Sequence, residues 1–293
     1  MKKFSEIIFI GLLVIAGIIF VTSIYNGLTG SGRQFAVPTY GDSIGLVEIE
    51  GVILDSEPTV KLINDYMDDH SIKAILVRIN SPGGAVAPSQ EIYEALKRVR
   101  NRGMVVVASM ASVAASGGYY IACAADTIVA NPGTTTGSIG VIMSLLDYSE
   151  LLDKVGVQVN NIKSGKYKDV GDGSRKMTAA EREYLQVFLD DAYDQFVGVV
   201  ADERGIEREQ VLRIADGRIY TGQQASRVGL VDILGTFDDA KQITASMAGL
   251  SGEPTLVKPT RRRPTLFDML FGGVDGLLGK LENRPFLRYQ LIL

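Results

Sequence analysis

Residues 74–109 read AILVRINSPGGAVAPSQEIYEALKRVRNRGMVVVAS, and the order of patterns in them decides the fold. Ala74–Ile79 is a short β-branched run that reads as a strand. It ends in the turn Asn80-Ser81-Pro82-Gly83-Gly84. Gln90–Arg100 follows, with Ile92, Ala95, Leu96 and Val99 on one face at helical spacing. Met104–Ser109 is then a second apolar strand. A strand, a crossover helix and another strand make the repeating unit of a parallel sheet, because parallel neighbours need a long connection.

The same alternation extends outward. Ile44–Ile49 reads as an earlier strand, and Pro58–Asp69 as a helix through Val60, Ile63 and Met67. Thr127–Ala130 and Gln158–Ile162 read as later strands. The longest helix is predicted to start at Thr178, where Glu181 three residues on completes a capping box. Its apolar stripe is Tyr184, Leu185, Phe188, Ala192, Phe196 and Val199. Residues 43–250 are therefore expected to form one largely parallel α/β domain, with 251–293 as a tail whose Pro254, Pro259 and Pro264 flank Arg261-Arg262-Arg263.

The 293 residues carry a net charge of −4 and no basic stripe interleaved with aromatics, which argues against nucleic acid as a partner. Cys123 stands alone, excluding an intramolecular disulfide and any cysteine-built metal site. Neither a ligand cluster nor a nucleotide fingerprint calls for a cofactor. Lys2 and Lys3 precede the apolar run Ile7–Val21, which extends to Tyr25. Residues 1–25 read as a transmembrane anchor in preference to a cleaved signal peptide, since no small-x-small site follows closely. The lysines then stay cytoplasmic and the rest is exported, beyond a Gly/Ser/Thr-rich linker at 26–42.

Two turns hold candidate chemistry. Adjacent Gly83 and Gly84 permit backbone angles that aim N–H groups together, as in an oxyanion hole, although taken alone the turn reads first as a tight strand–helix connection. Ser116 follows Ala114-Ala115 and precedes Gly117-Gly118, so its hydroxyl is open to close approach as a nucleophile. Its base is the difficulty. His70, the only histidine, lies in an acidic stretch and reads as a solvated helix-end residue. A lysine made neutral by burial is the alternative. Lys163, Lys166 and Lys168 are all available, and spacing does not choose among them.

Five segments, in this order, carry a resemblance: NSPGG at 80–84, ASVAASGGYY at 111–120, NPGTTTGSIGVI at 131–142, IKSGKYKD at 162–169 and ADGRIYTGQQASRVGLVD at 215–232. Over about residues 44–240 the chain resembles the bacterial signal peptide peptidase A family in its short single-domain form. The resemblance implies a Clp protease/crotonase-type spiral of ββα units and a serine–lysine dyad, with Ser116 as nucleophile and Lys168 as general base. It makes Ser138 the serine that orients the lysine amine; the plain alternative for Ser138 is a helix N-cap before Ile139–Leu146. Gly83 or Gly84, with Gly117, then supplies the oxyanion N–H groups. Membrane-held remnant signal peptides are the implied substrates, and an eight-subunit ring the implied assembly. Small residues around Ser116 suggest a narrow apolar cleft for modest side chains. Two rivals are an acyl-CoA enzyme of the crotonase type and a non-catalytic ring-forming membrane scaffold.

Overall fold

The computed structural model describes residues 42–258 and 288–290. The anchor at 1–25, nearly all of the linker, the three arginines and most of the tail lie outside the described residues. Among the described residues, no helix is long and apolar enough to cross a membrane.

The fold is mixed α/β around one mainly parallel sheet. Strands β1 (Ser43–Glu50), β2 (Ile72–Ser81) and β4 (Val105–Ala115) run parallel at its centre, in the order β4-β2-β1. Each is buried nearly throughout, as expected where helices cover both faces of a parallel sheet. Helix α1 (Glu57–Asp68) connects β1 to β2, and α2 (Val86–Asn101) leads from β2 to β4. The predicted stripe of α2 is the buried one: Ile92, Ala95, Leu96 and Val99. In α1 the buried face is Leu62, Ile63 and Tyr66, with Val60 and Met67 half-buried at its margins. The Tyr66 hydroxyl donates to the Val257 carbonyl at 2.8 Å. That bond ties α1 to β9 (Leu256–Val257), which lies parallel to β1 at the sheet edge.

Strand β4 runs six residues past the expected end at Ser109, and this extension positions the site. Its first part, Val107–Met110, pairs with β5 (Thr127–Ala130); its last part, Val113–Ala115, pairs with β6 (Thr135–Gly137). Changing neighbours midway sends the chain out beyond the end of β2. The strand β3 (Gly83–Ala85) pairs antiparallel with β10 (Arg288–Gln290). Helix α3 (Gly117–Ala122) follows β4 and is wholly buried.

Two sequence expectations fail. Gln158–Ile162 forms no strand: no neighbour pairs with it, and Val159 and Ile162 face solvent. Residues 139–148 are irregular rather than helical, and the next helix is α4 (Ser149–Val155), so Ser138 caps nothing. The capping box at Thr178 forms as expected and opens α5 (Ala179–Arg204). Tyr184 and Phe188, read as part of the α5 stripe, are about half exposed.

The start of α5 also anchors the loop that carries the three lysines. Arg175 donates to Asp169 at 3.0 Å and to the buried Glu181 at 2.9 Å, while Lys163 is ion-paired with Asp169. Arg175 holds Glu181 down to about 2, reinforced by the Thr178 N–H, and Arg175 and Lys163 together hold Asp169 well below the usual carboxylate range. Depressed carboxyls contribute stability that is complete above their unfolded values, near pH 4, and is lost as pH falls toward 2. Limited proteolysis is therefore expected to leave residues 160–176 intact from pH 8 down to about 4.5, and to cut there faster below about pH 3.5; cleavage independent of pH would show that this clamp does not hold the loop.

Candidate active site

Ser116 terminates β4 with φ +52° and ψ −116°, a conformation that non-glycine residues rarely adopt. The sheet holds it there: its N–H donates to the Gly137 carbonyl at 2.8 Å, and Tyr120 of the following helix donates back to the Ser116 carbonyl at 2.8 Å. The residue is 1% exposed. A strained strand-to-helix junction lifts a side chain off the end of the sheet, which is the placement a nucleophile needs.

Ser138 is the neighbouring strand's counterpart. Because Ala115 pairs with Gly137, Ser116 and Ser138 follow paired residues at the ends of adjacent strands. Ser138 too has positive φ, +49°, and is buried. Its N–H donates to the Arg218 carbonyl at 2.8 Å. The Tyr220 ring lies so close to Gly137 that a Cβ there would sit 2.6 Å from it. β7 (Ile219–Thr221), antiparallel to β6, thus braces Ser138 from behind.

The glycine turn closes on Ser116 from the other side. The Gly83 carbonyl accepts from Ile53 at 2.9 Å, and Ala85 donates to the Ile53 carbonyl at 2.7 Å. In an extended strand the intervening residue points its N–H and C=O the other way, so those of Gly84 face β10, where Tyr289 is its paired residue. The Gly83 N–H is taken by Ser81 Oγ at 3.0 Å. Of the two candidate glycines, Gly84 is therefore the donor aimed into the groove. A Cβ on Gly117 would lie 3.2 Å from the Gly84 nitrogen and 3.1 Å from the Tyr289 carbonyl oxygen; one on Gly83 would lie 2.7 Å from the Gly117 nitrogen. The backbones of Gly83, Gly84 and Gly117 and the Tyr289 carbonyl oxygen are thus packed closely together beside Ser116. Glycine backbones gathered at one point are what an oxyanion hole needs.

The structure brings together Ser116, Ser138, Gly83, Gly84 and Gly117, but leaves the lysines apart. Lys168 sits in an exposed turn, its N–H donating to the Gly165 carbonyl at 3.2 Å. Among the described residues its ammonium makes no hydrogen bond or ion pair. Of the other two candidates, Lys163 is ion-paired with Asp169 and Lys166 lies over the Tyr167 ring at 5.0 Å. Tyr167 stacks on Tyr184 at 4.8 Å, fixing the turn to α5. His70 is exposed beside the start of β2, at the opposite end of a parallel strand from Ser116, roughly 30 Å away along ten residues. It is not part of this site.

Three participants were not read from the sequence: Ile53, whose backbone aims Gly84; Tyr220 with the Arg218 carbonyl, which brace Ser138; and Tyr289. Only the second pair left a signal, in the ADGRIYTG segment at 215–222. Ile53 and Tyr289 act through backbone atoms that carry no residue-type signature. Among the described residues no cluster of His, Cys, Asp or Glu could hold a metal ion.

Comparison with known proteins places the chain in a family. Residues 98–251 match the model of peptidase family S49, a span that contains Ser116, Ser138 and Lys168. A putative protease of Synechocystis sp. is 42% identical over 255 residues, covering 85% of this chain and 92% of that protein. A putative signal peptide peptidase SppA of Enterococcus faecium is 43% identical over 178 residues, 61% of this chain and 52% of its own. Protease 4 of Salmonella typhi is 34% identical over 245 residues, 80% of this chain and 39% of its own. The chain therefore spans about half of the Enterococcus relative and about two-fifths of the Salmonella one. With a family match over more than half its length, the chain belongs to peptidase family S49.

Proposed function

We propose that this protein is a serine endopeptidase in which Ser116 is the nucleophile and Lys168 the general base, acting on short exported peptides such as signal-peptide remnants. The observation that carries the reading is the strand β10, an extended segment laid antiparallel on β3 with the Tyr289 carbonyl close against the glycines beside Ser116. An extended peptide substrate would lie in the same way, held by main-chain bonds along a sheet edge.

In the proposed reaction the Ser116 oxygen bonds to the scissile carbonyl carbon while its proton passes to neutral Lys168. The Gly84 and Gly117 amides stabilise the tetrahedral oxyanion, each contributing on the order of 3 kcal/mol. The lysine then hands its proton to the departing amine as the C–N bond breaks. Water, deprotonated by the same lysine, hydrolyses the Ser116 ester. Ser138, at the adjacent strand end, is the proposed orienting partner of the lysine.

A lysine acts as a base only when its ammonium form is disfavoured by loss of water. Lys168 is exposed in the single chain, so the reading requires a cover. The loop and helix around it carry the surface for one: Leu146 is 80% exposed, Leu151 61%, Val155 63% and Ile162 103%. Apolar side chains in that number mark a face that associates. A ring of copies, as in the spiral-fold peptidases the sequence resembles, would bury this face and dry the amine. The N-terminal apolar run would hold such a ring at the outer face of the cell membrane, near peptides left there after export.

Ser116→Ala is expected to abolish both peptide hydrolysis and covalent labelling by a serine-directed phosphonate. Lys168→Ala should lower kcat by about 10³-fold or more, with Tm changed by less than about 2 °C because the side chain is exposed in the isolated chain. Retained activity in Lys168→Ala would transfer the role to another base. The rate should climb from neutral into alkaline pH, since the base acts only after losing its proton; a profile flat from about pH 6 to 10 would argue against any lysine.

A further inference from the structure

Lys168 and Asp169 are neighbours in the chain, and a carboxylate within reach of an ammonium favours its charged form. Here that carboxylate is occupied elsewhere. Arg175 Nε donates to Asp169 Oδ2 at 3.0 Å, and Lys163 is ion-paired with the other oxygen, Oδ1. Arg175 is fixed in turn by a fork to both carboxyl oxygens of Glu181. The Asp169 side chain is 10% exposed and that of Glu181 6%, so water screens neither pairing strongly. Lys168 and Asp169 line one open groove of about 530 Å³ together with Asn161, Lys163 and Asp172. Asp172, the other acid there, accepts from the Asn161 amide at 2.6 Å and from the Ser174 N–H at 2.9 Å. Of the remaining charges around the loop, Lys166 lies over the Tyr167 ring, and Lys176 is paired with Glu150 of α4 at 2.9 Å. From α5 the facing titratable groups are Glu181 and Tyr184.

Resting on the reading of Lys168 as general base, we propose that Arg175 and Lys163 are positioning residues for the reaction, occupying the Asp169 carboxylate so that it does not pair with Lys168 and hold that amine protonated. Two observations separate this from a clamp that only ties the loop down. Lys163 and Asp169 lie on the same loop, so their pairing adds no tie to α5; its effect falls on the Asp169 charge. Ties of the loop to its surroundings exist without it, in the Tyr167–Tyr184 stack and in the Tyr148 N–H that donates to the Gly173 carbonyl at 2.9 Å. The two cations and two carboxylates of the network cancel, so no net charge is presented to the amine beside them. Arg175 and Lys163 hold the Asp169 carboxyl well below its usual range, so it stays ionised and paired wherever a lysine could act as a base. Loss of water then disfavours the Lys168 ammonium with no neighbouring carboxylate opposing it.

Two readouts test this in the full chain, comparing the native sequence, Arg175→Gln, and Arg175→Gln combined with Asp169→Asn. The first is the pH–rate profile of peptide hydrolysis. Arg175→Gln should move the midpoint of the rising limb up by about one pH unit, a loss of about tenfold in rate below it, with the high-pH plateau largely kept. Adding Asp169→Asn removes the released acid and should bring the midpoint back. Loss of a clamp cannot give that rescue, because the double variant lacks both of its halves. The second readout is acetylation of the Lys168 amine by acetic anhydride across the same pH range, in chains also carrying Ser116→Ala, followed by mass spectrometry. Only the neutral amine reacts, so the labelling midpoint should make the same shift and the same return. Should Arg175→Gln not fold with Glu181 left unpaired, Lys163→Gln takes its place, with the same direction expected and Asp169→Asn again restoring it. A labelling midpoint that stays put, or that moves and is not restored by Asp169→Asn, would overturn the inference. Labelling that shifts and returns while the rate profile stays fixed would keep the inference and remove Lys168 as the base.

Discussion

A tetrahedral oxyanion is stabilised only if two N–H groups from separate stretches of chain meet about 3 Å from one oxygen, with no side chain between them. Everything in this groove follows from that requirement. A Cβ on Gly84 would lie 2.0 Å from the Ile53 carbonyl oxygen, and one on Gly83 2.1 Å from that of Tyr289. No other residue fits at either place. Gly83 also takes φ +97°, which an L side chain resists. The paired glycines are thus required twice over: once for the backbone angle, and once for the closeness of three chain segments, Ile53, β3 and β10. The main sheet then has to deliver Ser116 to the same point, and it does so by letting β4 outrun β2 and change partners from β5 to β6.

That delivery stores strain. Ser116 and Ser138 both sit at positive φ, at matched positions on adjacent strand ends, and each such residue costs roughly 1–3 kcal/mol. They persist because the surroundings over-determine them. The backbone groups around Ser116 are bonded to Gly137 and Tyr120, that of Ser138 to Arg218, and α3 beneath is buried along its whole length. Strain at one of these serines would be a curiosity of a turn. At two matched positions on adjacent strand ends, it reads as a device for holding two hydroxyls in a fixed relation while the rest of the sheet stays regular.

The central fold was legible because it rests on side-chain pattern. The β-branched runs of β1, β2 and β5, the Ile92–Val99 face of α2 and the Thr178–Glu181 capping box all encode their structure in residue type, and all appear where expected. The failures have a common cause. Gln158–Ile162 looks like a strand because Val157 and Val159 alternate with polar residues, but alternation records a half-buried face without naming what buries it. Here no strand lies beside it, and those valines face outward. Ser138 looks like a helix cap because serine before an apolar run usually is one; it stands instead at positive φ, which the sequence signals only through the preceding Gly137. Of the site, Ser116 and the glycines were readable since their neighbours must be small. Ile53 and Tyr289 were not, because what they contribute is a backbone edge.

The contrast between the proposed nucleophile and the proposed base is the remaining physical point. Ser116 is buried beneath a strand of its own chain, whereas Lys168 stands in water on a turn bolted to α5 by Arg175, Asp169, Glu181 and the Tyr167–Tyr184 stack. Those contacts fix where the turn lies without drying the amine, and drying is what makes lysine basic at neutral pH. On the proposed reading, catalytic competence is a property of burial that the single chain does not supply. The exposed apolar face spanning Leu146 to Ile162 and the Lys168 amine six residues beyond it would then be two halves of one requirement, with the proposed ring covering the first and removing water from the second. Under that proposal an isolated chain would be inert, and association would supply the burial that a lysine base needs.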